Sequence, residues 1–515
     1  MLTTTTPGQN WRQWAFFALL FIPIFGLMFV LGVFIGRASS PTFPIVVTAA
    51  IIGTIGAIVV LGLDFRMGIY LIMLLVLWDR MQTFGAGGRI SGTKIAITLT
   101  IVFLTTAILA DQVKGWSRKL GDPLIILGVL YLLVSIMGLP FMPHPEIGLD
   151  FVNRRTNVVA LMAILILAVS DREVFHRCVL CIVISGTLVS IATLSEVVTG
   201  KSMLERLGKS DPEAQLNILG SFQGSLRIIG PSGGPTFHAL AQTLPGTLAF
   251  GLLLYYREMW KKILLVGALL VISFNIVGTG SRGGALGFAV AGLIVFLAGP
   301  VKHRFAKLAL VAALAFVALT ILAASNLDVA AQRVASPGSA TRTIDYRVAM
   351  WQMALNMFLD HPIVGVGTNG WGIHYNVYRL PNAPGSYLRV HNAFMQLLAE
   401  NGIQGVLVYL GFYVAATVSA FCAALATTDR RLKFEATAIA STTFGFFFFA
   451  GTSNVLENEL YFIVFGLCGA AYHIYRREAA GGVIPLEDRM APTAAQARAY
   501  GPASAFLPRP ALPGA

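Results

Sequence analysis

Long apolar runs separated by short polar loops recur along almost the whole of this chain. A run of about 17–22 residues, wound as a helix, matches the roughly 30 Å of hydrocarbon in a bilayer. The pattern predicts 14 spans, near 14–36, 43–62, 66–79, 94–110, 123–141, 156–169, 178–197, 237–256, 263–279, 284–300, 307–324, 404–425, 435–452 and 459–475. The third and sixth are the shortest. The predicted fold class is all-α, a polytopic transmembrane helical protein of about 12–14 spans with a large helical periplasmic loop.

Polar positions between the runs set the orientation. The loops LDFR, DQVKGWSRKLGD, SDREVFHR, YREMWKK, VKHRFAK and TTDRRLKFE are short and basic, and the last span ends in YRRE. Lys and Arg accumulate in short loops on the cytoplasmic side, so these loops and both termini are expected there. The intervening loops then fall outside, and two are long, about 198–235 and about 325–403. Four regions follow: a cytoplasmic N-terminus at 1–13, a first membrane region at 14–235, a second at 236–475 holding the longer outer loop, and a cytoplasmic tail at 476–515. The tail is rich in Ala, Pro and Gly, buries little apolar surface, and is expected to be disordered.

Composition agrees with lipid as the main solvent. Of 515 residues 56% are hydrophobic and 12% charged, against about 25% charged in a soluble domain; mean hydropathy is +0.74. The first span is too long for a secretory signal and lacks a convincing small-residue cleavage site, so it reads as retained. A net charge of +13 would suggest nucleic acid for a soluble protein. Here no zinc spacing, RNA-binding aromatic motif or basic helix accompanies it, and no nucleic-acid partner is expected. Four cysteines are too few for a disulfide framework. Cys178 and Cys181 form a CxxC inside an apolar run, where membrane packing accounts for them.

Candidate chemistry concentrates between Gly278 and Gly405. In GTGSRGGALG, Ser281 and Arg282 end one span and two glycines begin the next. An arginine at a membrane boundary often only reaches toward headgroups; in a tight hairpin over a cavity its guanidinium can hold a phosphate bidentately. The long outer loop adds Arg333, Arg342 and Arg347. Within it TIDYRVAMWQMALNMFLDHP places Ile344, Val348, Trp351, Leu355 and Phe358 at helical spacing, and His361-Pro362 ends the helix. That predicts an amphipathic helix on the outer face, whose arginines touch either headgroups or a ligand. The following PIVGVGTNGWG lacks the GKS/GKT of a phosphate-binding loop and reads as a turn that positions its flanking helices.

Next comes RVHNAFMQLLAENGIQG. His391 stands at the mouth of a span, where imidazole accepts a proton near neutral pH. Asn392 adjoins it. Glu400 is the nearest carboxylate in sequence, with an arginine as its expected partner. His238, in GPSGGPTFHALAQ, is a second outer histidine with a weaker claim, and His361 and His374 read as loop residues. Asp79, Asp150, Asp345, Glu457 and Glu459 are scattered, so no metal site and no cofactor is expected.

These residues resemble the O-antigen ligase and O-antigen/exopolysaccharide polymerase family of bacterial envelope membrane proteins. Three pieces carry the resemblance: SRGGALG with Arg282 and Leu286 in the family's Arg-x-x-x-Leu spacing; YRVAMWQMALNMFLDHPIVGVGTNGW, similar to its outer-loop arginine helix and glycine turn; and His391-Asn392 followed by Gly402-x-x-Gly405. Together they cover about 130 residues in the family's order. The resemblance implies metal-independent glycan transfer from an undecaprenyl-diphosphate carrier, beside membrane lipids and other polysaccharide-assembly proteins. The acceptor hydroxyl belongs to another lipid-linked repeat unit in a polymerase and to lipid A-core in a ligase. Arg282 and Arg347 would meet the diphosphate, with Arg342 as a third contact, and His391 would be the base; Ser281, Asn392, Glu400 and His238 are further candidates for substrate binding. Loop size tilts the reading toward polymerase. The rival from another class, a transporter or flippase of lipid-linked saccharide, predicts polar residues near the bilayer midplane, where this sequence offers few besides Asn275.

Overall fold

The computed structural model describes residues 64, 66–78, 83–84, 90–109, 113, 115–199, 201–203, 227–298, 337–383 and 389–480, with the backbone alone at 83–84, 90–91 and 337–345. The expected spans near 14–36, 43–62 and 307–324, Arg333, and the tail beyond 480 lie outside these residues. Among them are twelve helices of ten residues or more: α1 Arg66–Leu75, α2 Gly92–Leu109, α3 Pro123–Met137, α4 Pro145–Ala168, α5 Arg172–Thr199, α6 Pro235–Tyr255, α7 Met259–Gly278, α8 Arg282–Ala298, α9 Pro337–Asp360, α10 Ala393–Ala426, α11 Arg430–Ala450 and α12 Glu459–Ala479. The one ladder among the described residues pairs Thr83 with Ser91 and Phe84 with Ile90.

The protein is a multi-pass helical membrane protein. Seven of the described helices, α2 to α7 and α10, are long and apolar enough to cross a bilayer, and α1 and α8 are shorter apolar helices. Helices α11 and α12 also run 21 residues each but carry more polar residues. Both pack inside the bundle, so they need less apolar surface toward lipid. Their hydroxyls bond back along the helix, Thr437 to Lys433 O at 2.7 Å and Ser441 to Thr437 O at 2.7 Å, which removes the cost of burying them. Around α10, α12 and α3 an aromatic stack fills the core, with Phe412 and Phe465 rings parallel at 5.4 Å and Tyr131 edge-on to Phe412 at 6.0 Å.

Charge sorts the two ends. At one end the basic loops touch one another: Arg66 pairs with Asp171 at 3.8 Å, His473 with Asp122 at 2.7 Å, Arg172 with both Asp429 and Glu478, and Arg431 with Glu173 at 3.3 Å. Tyr256 and Glu435 flank His176 there, and the Lys119 ammonium donates to the carbonyls of Ile166 and Leu167 at the end of α4. Among the described residues, the loops that positive charge assigned to one side of the membrane share one end of the bundle; VKHRFAK lies outside them.

Three expectations change. The sixth span, read as 156–169, is α4 and begins eleven residues earlier at Pro145, so Arg154 and Arg155 are helical rather than loop residues. The twelfth, read as 404–425, begins at Ala393 and breaks at Gly402 (φ 64°). The apolar face of α9 is also rotated. Ala349, Met350, Met353, Ala354 and Met357 are buried, whereas Val348 and Leu355 are 49% and 42% exposed. Both faces are apolar, and the Ala and Met side packs closer against its neighbours.

Candidate functional site

The end opposite the basic loops is built around the break in α10. A helix that breaks leaves backbone groups without partners, and inside a membrane protein these must be met by other protein groups. The turn after His361-Pro362 meets them: Val366 N–H donates to Ala399 O at 2.8 Å, and Ile403 N–H donates to Pro362 O at 3.0 Å. Glycine is required at the break. Its φ of 64° is left-handed, and a Cβ on Gly402 would lie 2.3 Å from Ile363 O. The glycine turn therefore positions helices, as its sequence suggested.

His391 stands just ahead of the first half of α10. Its neighbours Val390 and Ala393 are fully buried, and Asn392 Oδ1 caps the helix by accepting from Phe394 N–H at 3.0 Å and Met395 N–H at 3.1 Å. Holding Val390 inward and the cap in place turns His391 to a left-handed φ of 54°, uncommon for a residue with a side chain. The imidazole keeps an exposed surface although protein crowds it. Burial pushes it down to about 4, reinforced by the charges of Arg347 and Arg389. It is therefore neutral at pH 7 and able to accept a proton.

Arg347 lies half-buried on α9; burial holds its guanidinium below the usual range, and the charge of Arg282 adds to this. Arg282 is exposed at the first position of α8. Arg347 thus feels the charge of Arg282 and acts in turn on His391, as does Arg389, two residues before the histidine and not among the residues singled out from the sequence. Cations gathered against mutual repulsion suit an anion. Arg342 stands on α9 five residues before Arg347. Ser281 spends its hydroxyl as a cap, accepting from Gly284 N–H at 3.2 Å. At Gly283 the backbone runs close to the loop before α12, where a Cβ would meet Thr452 Oγ1 at 2.5 Å.

Glu400 is fully buried and its arginine is Arg155, also fully buried, at 3.9 Å. Arg155 donates to Glu457 Oε1 at 3.0 Å, Ser135 Oγ at 2.8 Å and Asn401 Oδ1 at 2.9 Å, and lies 4.9 Å over the Tyr131 ring. Asn401 continues to Thr368 Oγ1 at 2.9 Å, and Thr368 donates to Ser135 O at 2.8 Å. One guanidinium thereby ties α3, α4, the glycine turn, the break in α10 and the loop before α12. The signal for it was present: Arg155 falls on the buried stripe Gly148, Val152, Val159, Met162 of α4, at spacings of three and four residues.

His238 belongs elsewhere. It is fully buried on α6 and bonds Asn275 Oδ1 at 3.1 Å, within a knot that includes Ser190 and Thr193. His374 ends a single helical turn at Trp371–His374, and His361 ends α9. Among the described residues no group of three His, Cys, Asp or Glu could hold a metal ion. An open groove of about 500 Å³ beside α4 is lined by Glu146, Asp150, Asn153 and their neighbours and includes none of Arg282, Arg347 or His391.

Residues 267–410 match the family model described as O-antigen ligase. The match runs from within α7 through α8, α9 and the glycine turn into α10, and contains Arg282, Arg347, Arg389 and His391. This part of the chain is similar to O-antigen ligases. No curated protein matches the chain.

Proposed function

With the O-antigen ligase match as premise, we propose that the protein transfers a glycan from an undecaprenyl-diphosphate carrier to an acceptor hydroxyl at the periplasmic face of the bacterial inner membrane, polymerising exopolysaccharide or O-antigen repeat units. The observation that carries this reading is that the charges of Arg347 and Arg389 act on a neutral His391, with Arg282 beside Arg347. In the proposed step the acceptor oxygen attacks the anomeric carbon of the donor sugar. The bond from that carbon to the diphosphate oxygen breaks, and its electron pair leaves with the lipid diphosphate. His391 takes the proton of the acceptor hydroxyl. Charge grows on the leaving diphosphate, and guanidinium groups already in place stabilise it without reorganisation. The carrier's tail stays in lipid throughout, which suits a site at the membrane edge.

Transfer by the purified protein from a lipid-diphosphate glycan, with EDTA present, tests the reading. Activity is expected to fall by about 10²-fold or more for His391→Ala, the scale of a general base, and to fall strongly for Arg282→Ala. Full activity in both variants would remove the site, and a requirement for added metal would remove the mechanism. The description of the matched family favours a second reading, ligation of finished polymer to lipid A-core. Gene deletion separates the two: single repeats on lipid A-core indicate a polymerase, and intact polymer left on its carrier indicates a ligase.

A further inference from the structure

Residues of α9, the segment after it and the start of α10 form a small core of their own under the outer helix. Met350, Met353 and Met357 of α9, Trp371, Tyr375, Val390 and Ala399 pack there, with Trp351 partly buried at its edge. Trp351 lies four residues after Arg347, one helical turn, so both side chains leave the same side of α9. Its indole N–H donates to the carbonyl of Val390 at 3.2 Å. That carbonyl belongs to the peptide bond joining Val390 to His391, so the bond acts one residue from the imidazole.

We propose that Trp351 is a positioning residue for the transfer reaction: its hydrogen bond to Val390 pins the Arg347 helix to the backbone of His391 and sets the distance between the cation and the base. The proposal rests on the reading of His391 as base. A left-handed backbone at a residue with a side chain survives only where its surroundings hold it. Asn392 fixes the side toward α10, and Trp351 fixes the side toward α9. Without the indole N–H, the Val390 carbonyl loses its tie to α9, and the imidazole and the Arg347 guanidinium are free to separate.

Trp351→Phe keeps an aromatic ring in the small core and removes the N–H, and Trp351→Tyr serves as a second variant if the first does not fold. The kinetics are read on purified protein beside its melting temperature. The expected result is a kcat lower by about three- to tenfold, the scale of one hydrogen bond, with KM for the lipid-linked donor unchanged. Among the described residues the charged groups acting on His391 are Arg347 and Arg389, and Arg282 acts on Arg347. As Arg347 moves away, the acid limb of kcat/KM moves to higher pH. A merely structural tryptophan would lower the melting temperature and leave that limb in place. Wild-type kinetics, an equal change in KM, or a lower kcat with an unmoved acid limb would each overturn the proposal. Failure of the base reading is seen separately, as full activity in His391→Ala with Trp351 intact.

Discussion

A general base must be unprotonated when the acceptor arrives, and His391 meets that condition through its surroundings. Burial and the neighbouring Arg347 and Arg389 hold the imidazole down, to about 4. A base is lost as pH falls through its own pKa. So kcat/KM, which reports the free protein, is expected to be flat from neutrality downward and to fall as pH drops through about 4. A bound diphosphate cancels the repulsion from the two arginines, so the acid limb of kcat is expected at higher pH than that of kcat/KM. Rate profiles on purified protein check both; a limb near the ordinary histidine value of about 6.5 in kcat/KM would contradict the crowding around His391. Nearby polar residues divide differently from what their motifs suggested. Ser281 and Asn392 cap helices, His238 is occupied by Asn275, and Glu400 is held with Arg155 and Gln396. Ser281, Asn392 and Glu400 thereby hold the backbone around the site, and His238 lies apart from it.

At the scale of elements the break in α10 organises this end of the molecule. Its first half carries the cap beside His391, and the glycine turn satisfies the backbone groups the break exposes. Gly402→Ala forces a side chain into a left-handed position, a cost of about 1–2 kcal/mol, and sets a Cβ against Ile363 O at 2.3 Å. A lowered melting temperature together with loss of transfer is expected. Gly267→Ala on α7, with no atom within 4 Å of the added Cβ, should be neutral in both. Equal melting temperatures for the two variants would show that the turn does not depend on this glycine.

Across the whole molecule, Arg155 and its partners join five parts of the chain, from Ser135 on α3 to Glu457, 302 residues beyond the arginine. Removing one partner of a buried ion pair leaves the others charged and unpaired, at a cost of about 3–5 kcal/mol. Arg155→Met is therefore expected to destabilise the protein by that order. Chemical or thermal unfolding in detergent measures it; a change below about 1 kcal/mol would mean that Glu400 and Glu457 find other partners. The bundle also settles a question that loop charge alone raised. Among the described residues, basic loops are joined to one another by ion pairs at the end opposite His391, so these loops and the candidate site occupy different ends of one bundle.

Hydrophobic run length and loop charge made the helical membrane fold legible, because both act locally and each span must satisfy its own backbone. The same local rules placed Arg282 and His391 at helix ends and Arg347 on an amphipathic helix, and the resemblance carried by their motifs agrees with the match over 267–410. They misplaced the starts of α4 and α10, where polar residues continue a helix that hydropathy cuts short. They also could not show which face of α9 packs inward, since both faces are apolar. Pairing is decided only by tertiary structure. Arg155 meets Glu400 and Glu457, and Trp351 meets Val390, because segments distant in sequence meet in space. Hydropathy counts each residue alone, whereas the energy of a buried charge or hydrogen bond depends on the partner facing it.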